Sequence, residues 1–124
     1  MLNVQSDLDF IHREINWDEI LRAYKSLDIK IKRYPIFDFN QEDLIEKLKG
    51  AGDLLKILVD EGHVVYVHCT AGMSRAAATV IIYMILYHSY NLDEAYDYVK
   101  SYREVICPNM KAIAEVVNRN TSWN

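Results

Sequence analysis

His68-Cys69-Thr70-Ala71-Gly72-Met73-Ser74-Arg75 decides how this chain is read. It lies between a β-branched and aromatic run, Val64-Val65-Tyr66-Val67, and a long apolar stretch that opens at Arg75. The first reads as a strand and the second as a helix. A loop at that junction can turn its amides, from Thr70 to Arg75, towards one point, as anion-binding nests do. The following helix directs its positive end at the same point. Arg75 adds a planar guanidinium matched to two oxygens of a phosphate. Each of these groups favours an ionised thiol, so Cys69 reads as a nucleophile set in an anion cradle. The competing reading, an inert cysteine buried at a strand end, needs neither Gly72 nor Arg75.

The chain has 124 residues, enough for one compact domain over 1–124 and not for two. A net charge of −4 argues against a nucleic-acid partner, which a basic face would announce. No apolar run is long enough to span a bilayer, so no membrane partner is expected. Met1 leads straight into the strand-like Leu2-Asn3-Val4-Gln5, with no secretory leader expected. The two cysteines, Cys69 and Cys107, are too few for a disulfide framework, and a working thiol needs a reducing compartment, which points to the cytoplasm. Cys107, before Pro108, reads as a small buried residue rather than a redox partner of Cys69. His63, His68, Cys69 and His88 lack the paired spacing of zinc ligands, and no metal is expected.

Strand and helix signals alternate along the chain. Leu2–Gln5 reads as a strand and Ser6-Asp7-Leu8-Asp9 as a turn or cap cluster. Asn16 caps a helix over Trp17–Ser26. Ile29–Ile36 alternates apolar and basic residues as a half-wet strand, and 38–43 is a polar loop. Leu44–Val59 has helical spacing, with a possible kink at Gly50 and Gly52. Val64–His68 is expected to be the buried central strand. A buried helix follows over Arg75–Ser89, then one from Asn91 to Tyr102 with Asn91 and Glu94 as a capping pair. Pro108 fits the first turn of a last helix ending near Asn118. The pattern predicts an α/β fold, a central, mostly parallel sheet flanked by helices on both faces.

Ester hydrolysis through a thiolate needs a second group, an acid that protonates the leaving oxygen and later serves as base. Asp38 is the first candidate. It follows the strand end at Ile36, so its loop opens at the carboxyl edge of the sheet, beside the Cys69 loop. Asp43 is the second, although Gln41–Leu44 looks like a helix start, where acids are favoured by the dipole alone.

His68-Cys69 followed by five residues and Arg75 resembles the signature of the cysteine-based protein tyrosine phosphatase superfamily. The short chain is similar to its dual-specificity branch. The resemblance implies phosphomonoester hydrolysis through a phosphocysteine on Cys69, with no metal or organic cofactor. It implies a substrate cradle of Thr70, Ala71, Gly72, Met73, Ser74 and Arg75, a loop-organising His68, and Asp38 as general acid. Arg103 matches a recurrent basic residue and reads as structural. Ala76 departs from the family, where Ser or Thr helps the thiolate leave; either Ser74 or Thr79 compensates, or the second step is slow. Family members also have an earlier strand. Its absence would leave a sheet edge exposed or free to pair with another chain, with the oligomeric state open.

Parts of the chain resemble the plant glucan phosphatases and laforin. These are Asn3-Val4-Gln5-Ser6-Asp7-Leu8-Asp9-Phe10, Arg33-Tyr34-Pro35-Ile36-Phe37-Asp38-Phe39 and Cys69-Thr70-Ala71-Gly72-Met73. In those enzymes aromatic residues stack on sugars, and Phe39 is placed to do so. Ser74, in place of a second glycine, suits the protein-directed members better, and no carbohydrate-binding module is expected beyond Trp123-Asn124. The expected substrate is therefore a phosphorylated protein or, alternatively, a phosphoglucan. A non-catalytic phosphate-binding module is a further alternative.

Overall fold

The computed structural model describes residues 1–71 and 73–121; Gly72, expected to ease the turn of the cysteine loop, and Trp123-Asn124 lie outside the described residues. Strands β1 (Leu2–Asn3), β2 (Lys32–Arg33) and β3 (Val67–His68) form one sheet in the order β2-β1-β3. Both pairings are parallel, with Leu2 opposite Lys32 on one side and Val67 on the other. Around them run α1 (Asp7–His12), α2 (Trp17–Ser26), α3 (Gln41–Asp60), α4 (Arg75–Tyr87), α5 (Leu92–Tyr102) and α6 (Met110–Thr121).

The central strand is β1, not Val64–His68. Leu2 and Val4 are fully buried, whereas Val64 is fully exposed and Tyr66 is 66% exposed at the sheet edge. A β-branched run announces a strand, but its rank in the sheet depends on which distant segments come to lie beside it. The regular strands are also shorter than their sequence signals, yet the ladder runs on. Tyr34 N–H donates to Asn3 O at 2.9 Å and Ile36 N–H to Val4 O at 3.0 Å, with Pro35, which has no N–H, between them. Ile29 belongs instead to the exit of α2, where its amide bonds Tyr24 O at 2.8 Å.

One face of the sheet carries the apolar core. Leu2, Val4 and Ile36 meet Leu44, Leu48 and Leu55 of α3, Ile81 and Ile82 of α4, and Ile113 and Val116 of α6. Helix α3 is continuous from Gln41 to Asp60, with no break at its glycines. Gly52 instead lets α4 approach: a Cβ there would sit 2.9 Å from Ile82 Cγ2. The other face is polar and more thinly covered. Asn3 and Gln5 are buried there and share a cavity with Trp17, Ile20 and Tyr24 of α2. Phe10 stacks on Trp17 at 5.0 Å, and the Arg33 guanidinium lies 4.8 Å from the Phe10 ring.

Helix starts follow their caps. Asn16, Asn40 and Asn91 each accept the backbone N–H three residues on, from Glu19, Asp43 and Glu94. Pro108 stands outside the last helix: Asn109 accepts Ala112 N–H at 3.0 Å, and α6 begins at Met110.

Candidate active site

The cysteine loop leaves the carboxyl end of β3 and enters α4 at Arg75. Its alternate carbonyls are held by outside donors. Cys69 O accepts from His68 Nδ1 at 2.6 Å, Ala71 O from Arg103 Nη2 at 3.2 Å, and Met73 O from Cys107 N–H at 2.7 Å. In a planar trans peptide the carbonyl and the next amide point opposite ways. The Thr70 and Ser74 amides are therefore turned away from those donors, the polarity an anion cradle requires. The carbonyl bond places a hydrogen on His68 Nδ1, so Nε2 is left to accept from Asn3 Nδ2 at 3.4 Å.

Arg75 is 3% exposed, and its guanidinium is gripped from below by Asp9. Nη1 reaches Asp9 Oδ2 at 2.9 Å and Nη2 reaches Oδ1 at 2.7 Å, a bidentate pair. Nη1 also donates to Ile36 O at 2.7 Å. Asp9 accepts further bonds from Thr70 Oγ1 at 2.6 Å, Ser6 Oγ at 2.9 Å and Ser6 N–H at 2.7 Å. Burial alone would raise the Asp9 pKa, but the bonds from Arg75, Thr70 and Ser6 outweigh it and hold the carboxyl well below the usual range. Burial likewise opposes the charge on Arg75; Asp9, with Asp38 and Cys69, reverses that and raises its pKa.

Asp38 approaches the same guanidinium at longer range. Its Oδ2 lies 3.5 Å from Arg75 Nη2, its Oδ1 accepts Phe39 N–H at 3.1 Å, and its side chain is 36% exposed. Asp43 is differently placed. Its Oδ2 accepts Phe37 N–H at 2.8 Å and its Oδ1 pairs with Lys47 at 3.0 Å, so both oxygens are engaged away from the cysteine.

A cleft of about 700 Å³ gathers Cys69, Ala71, Met73, Ser74 and Arg75 with Asp38 and Phe39. Thr70, expected in the cradle, turns its hydroxyl away to Asp9 and accepts from Gln5 Nε2 at 3.1 Å. Thr79 is unavailable to compensate for Ala76, because its buried hydroxyl donates to Arg75 O at 2.9 Å; Ser74 lines the cleft. Cys107 is not buried: it is exposed and lines the cleft with Pro108 and Asn109. Its neighbour Pro108 suggested packing, but the segment instead bends over the loop to bond Met73.

Sequence reasoning missed Asp9, Gln5 and Asn3. Ser6 and Asp9 read as a cap cluster within a stretch resembling the glucan phosphatases, and nothing local ties Asp9 to an arginine 66 positions on. Among the described residues no group of three histidine, cysteine or acidic side chains is arranged to hold a metal, and no helix is long and apolar enough to cross a membrane.

A family described as "Dual specificity phosphatase, catalytic domain" matches residues 2–121. The chain belongs to that family. It is 33% identical to mouse dual specificity protein phosphatase 1 over 69% of its own length and 23% of the relative's. It is 37% identical to phosphoglucan phosphatase DSP4, amyloplastic, of Castanea sativa, over 90% of its own length and 30% of the relative's. It thus spans about a quarter to a third of these two proteins. Its fold matches the crystal structure of human DUSP28 with a TM-score of 0.70 at 26% identity, covering 77% of this chain and 69% of that one.

Proposed function

We propose that this chain hydrolyses phosphomonoesters on proteins, as a dual-specificity phosphatase working through a phosphocysteine in a reducing, cytoplasmic setting. One observation carries the reading: Cys69, Asp38 and Arg75 line a single cleft, with Asp38 Oδ2 3.5 Å from Arg75 Nη2. Cys69 Sγ attacks phosphorus and the P–O ester bond breaks. Asp38 gives its proton to the departing oxygen. Arg75 and the loop amides take the charge on the equatorial oxygens. In the second step Asp38 accepts a proton from water, the water oxygen bonds phosphorus, and the Cys69 thiolate leaves. His68 steadies the loop by its bond to Cys69 O.

A second substrate class is supported by one feature. Phe39, adjacent to Asp38, is fully exposed at the cleft, where an aromatic face can stack on a sugar ring. Two measurements test the proposal. Cys69→Ser should abolish hydrolysis of a small aryl phosphate while retaining phosphate or vanadate binding, because the loop amides persist. Hydrolysis unaffected in this variant defeats the covalent mechanism. Turnover of a mixed phosphopeptide panel should exceed that of phosphorylated amylopectin; the reverse order assigns the chain to glucans.

A further inference from the structure

We propose that Asp43 is a positioning residue that sets the reach of the Asp38 carboxyl from outside the cleft; this rests on the phosphatase reading above. The peptide unit joining Ile36 to Phe37 is held at both edges. Its carbonyl, Ile36 O, accepts from Arg75 Nη1 at 2.7 Å, and its amide, Phe37 N–H, donates to Asp43 Oδ2 at 2.8 Å. A planar peptide cannot rotate without breaking one of these bonds or the other. Asp38 follows Phe37, so this plane is the fixed point from which its carboxyl reaches towards Arg75.

Asp43 is itself braced. Its amide donates to Asn40 Oδ1 at 2.9 Å in the first turn of α3, and its Oδ1 pairs with Lys47 at 3.0 Å. Lys47 Nζ also lies 5.1 Å from the centre of the Phe37 ring, closing the bracket on the side chain of the clamped residue. The Asp43 side chain is only 12% exposed and does not line the cleft that holds Cys69. A helix start alone accounts for an acid at this position. It does not account for that acid bonding the peptide just ahead of Asp38. The bracket also faces a strained turn, since Phe39 has φ +54°, a left-handed backbone that non-glycine residues avoid. A loop that turns there needs fixed ends, and Arg75 and Asp43 provide them at one end.

The test compares Asp43→Ser with Asp43→Asn, each shown folded by thermal melting. Serine suits a helix start but stops short of the Phe37 amide; asparagine keeps an acceptor oxygen in reach. With Asp43→Ser, kcat on an alkyl phosphate should fall at least about tenfold more than kcat on a nitrophenyl phosphate, with KM little changed and the basic limb of the pH profile flattened. General acid–base groups contribute roughly 10²–10⁴-fold, so partial misplacement has room to show. Asp43→Asn should stay near wild type. If asparagine is as damaging as serine, Asp43 carries a proton itself and the positioning role is overturned. If serine lowers the melting temperature but shifts both substrates equally, Asp43 only builds the helix, and the proposal fails. Asp38→Asn run alongside separates the levels. A leaving-group effect there and none at Asp43 defeats this inference alone, whereas its absence at Asp38 defeats the parent reading.

Discussion

Asp9 and Asp38 both approach Nη2 of one arginine, at 2.7 Å and 3.5 Å. Asp9 is buried, and bonds from Arg75, Thr70 and Ser6 converge on both its oxygens. Asp38 is one-third exposed, accepts its neighbour's amide, and lies at the edge of ion-pair reach from Arg75. A carboxylate surrounded by donors is fixed in its charged form and can only hold something in place. A carboxylate with open lone pairs and access to water can exchange a proton. The same residue type is therefore packed for two different jobs, holding Arg75 at Asp9 and the proposed proton transfer at Asp38.

The largest expected effect separates these jobs. Asp38→Asn should slow hydrolysis of an alkyl phosphate by about 10²–10⁴-fold and an activated aryl phosphate far less, with stability nearly unchanged. Equal losses on both substrates would mean that Asp38 positions rather than protonates. Asp9→Ala should show the converse. It leaves a buried guanidinium without its partner, which costs about 3–5 kcal/mol in denaturant melts, and it should depress all substrates alike.

A pH experiment sharpens the same contrast. The folded Asp9 pKa lies below its ordinary value of 3.8, so its stabilising contribution is complete above that value and is lost as pH falls through and below it. The stability gap between wild type and Asp9→Asn should accordingly be constant from neutral pH down to about pH 5 and narrow on further acidification. A gap that widens in acid would reverse the sign of the coupling. The smallest effect is expected at Phe39→Gly. Relief of a left-handed backbone, about 1–2 kcal/mol, is offset by the greater freedom of glycine in the unfolded chain, so stability should move by less than about 1 kcal/mol. KM should rise a few-fold if the ring contacts substrate; an unchanged KM makes Phe39 a bystander.

What the sequence made legible was whatever is written locally. The Cys69–Arg75 spacing, the asparagine caps at 16 and 91, and the apolar α4 are each contained in a short window, and each was found where expected. The Asp38 loop also opens beside the cysteine loop, because parallel strands bring their carboxyl ends to one edge. What stayed hidden depends on pairing at a distance. The edge rank of Val64–His68, the exposure of Cys107 and the grip of Asp9 on Arg75 are set by residues tens of positions away. Asp43 shows the limit most clearly: a carboxylate at a helix start looks the same in sequence whether it moves a proton, supports a helix or holds a peptide plane.

Arg75 draws its bonds from residue 9, 66 positions back, and from residue 36, 39 positions back. Closing such long loops costs chain entropy before the contact repays it, which predicts late closure in folding. The proposed activity needs both of these distant contacts, so it is expected to appear only after they form. Specific activity then doubles as a clock for folding: in a refolding time course, turnover should lag the recovery of helical signal.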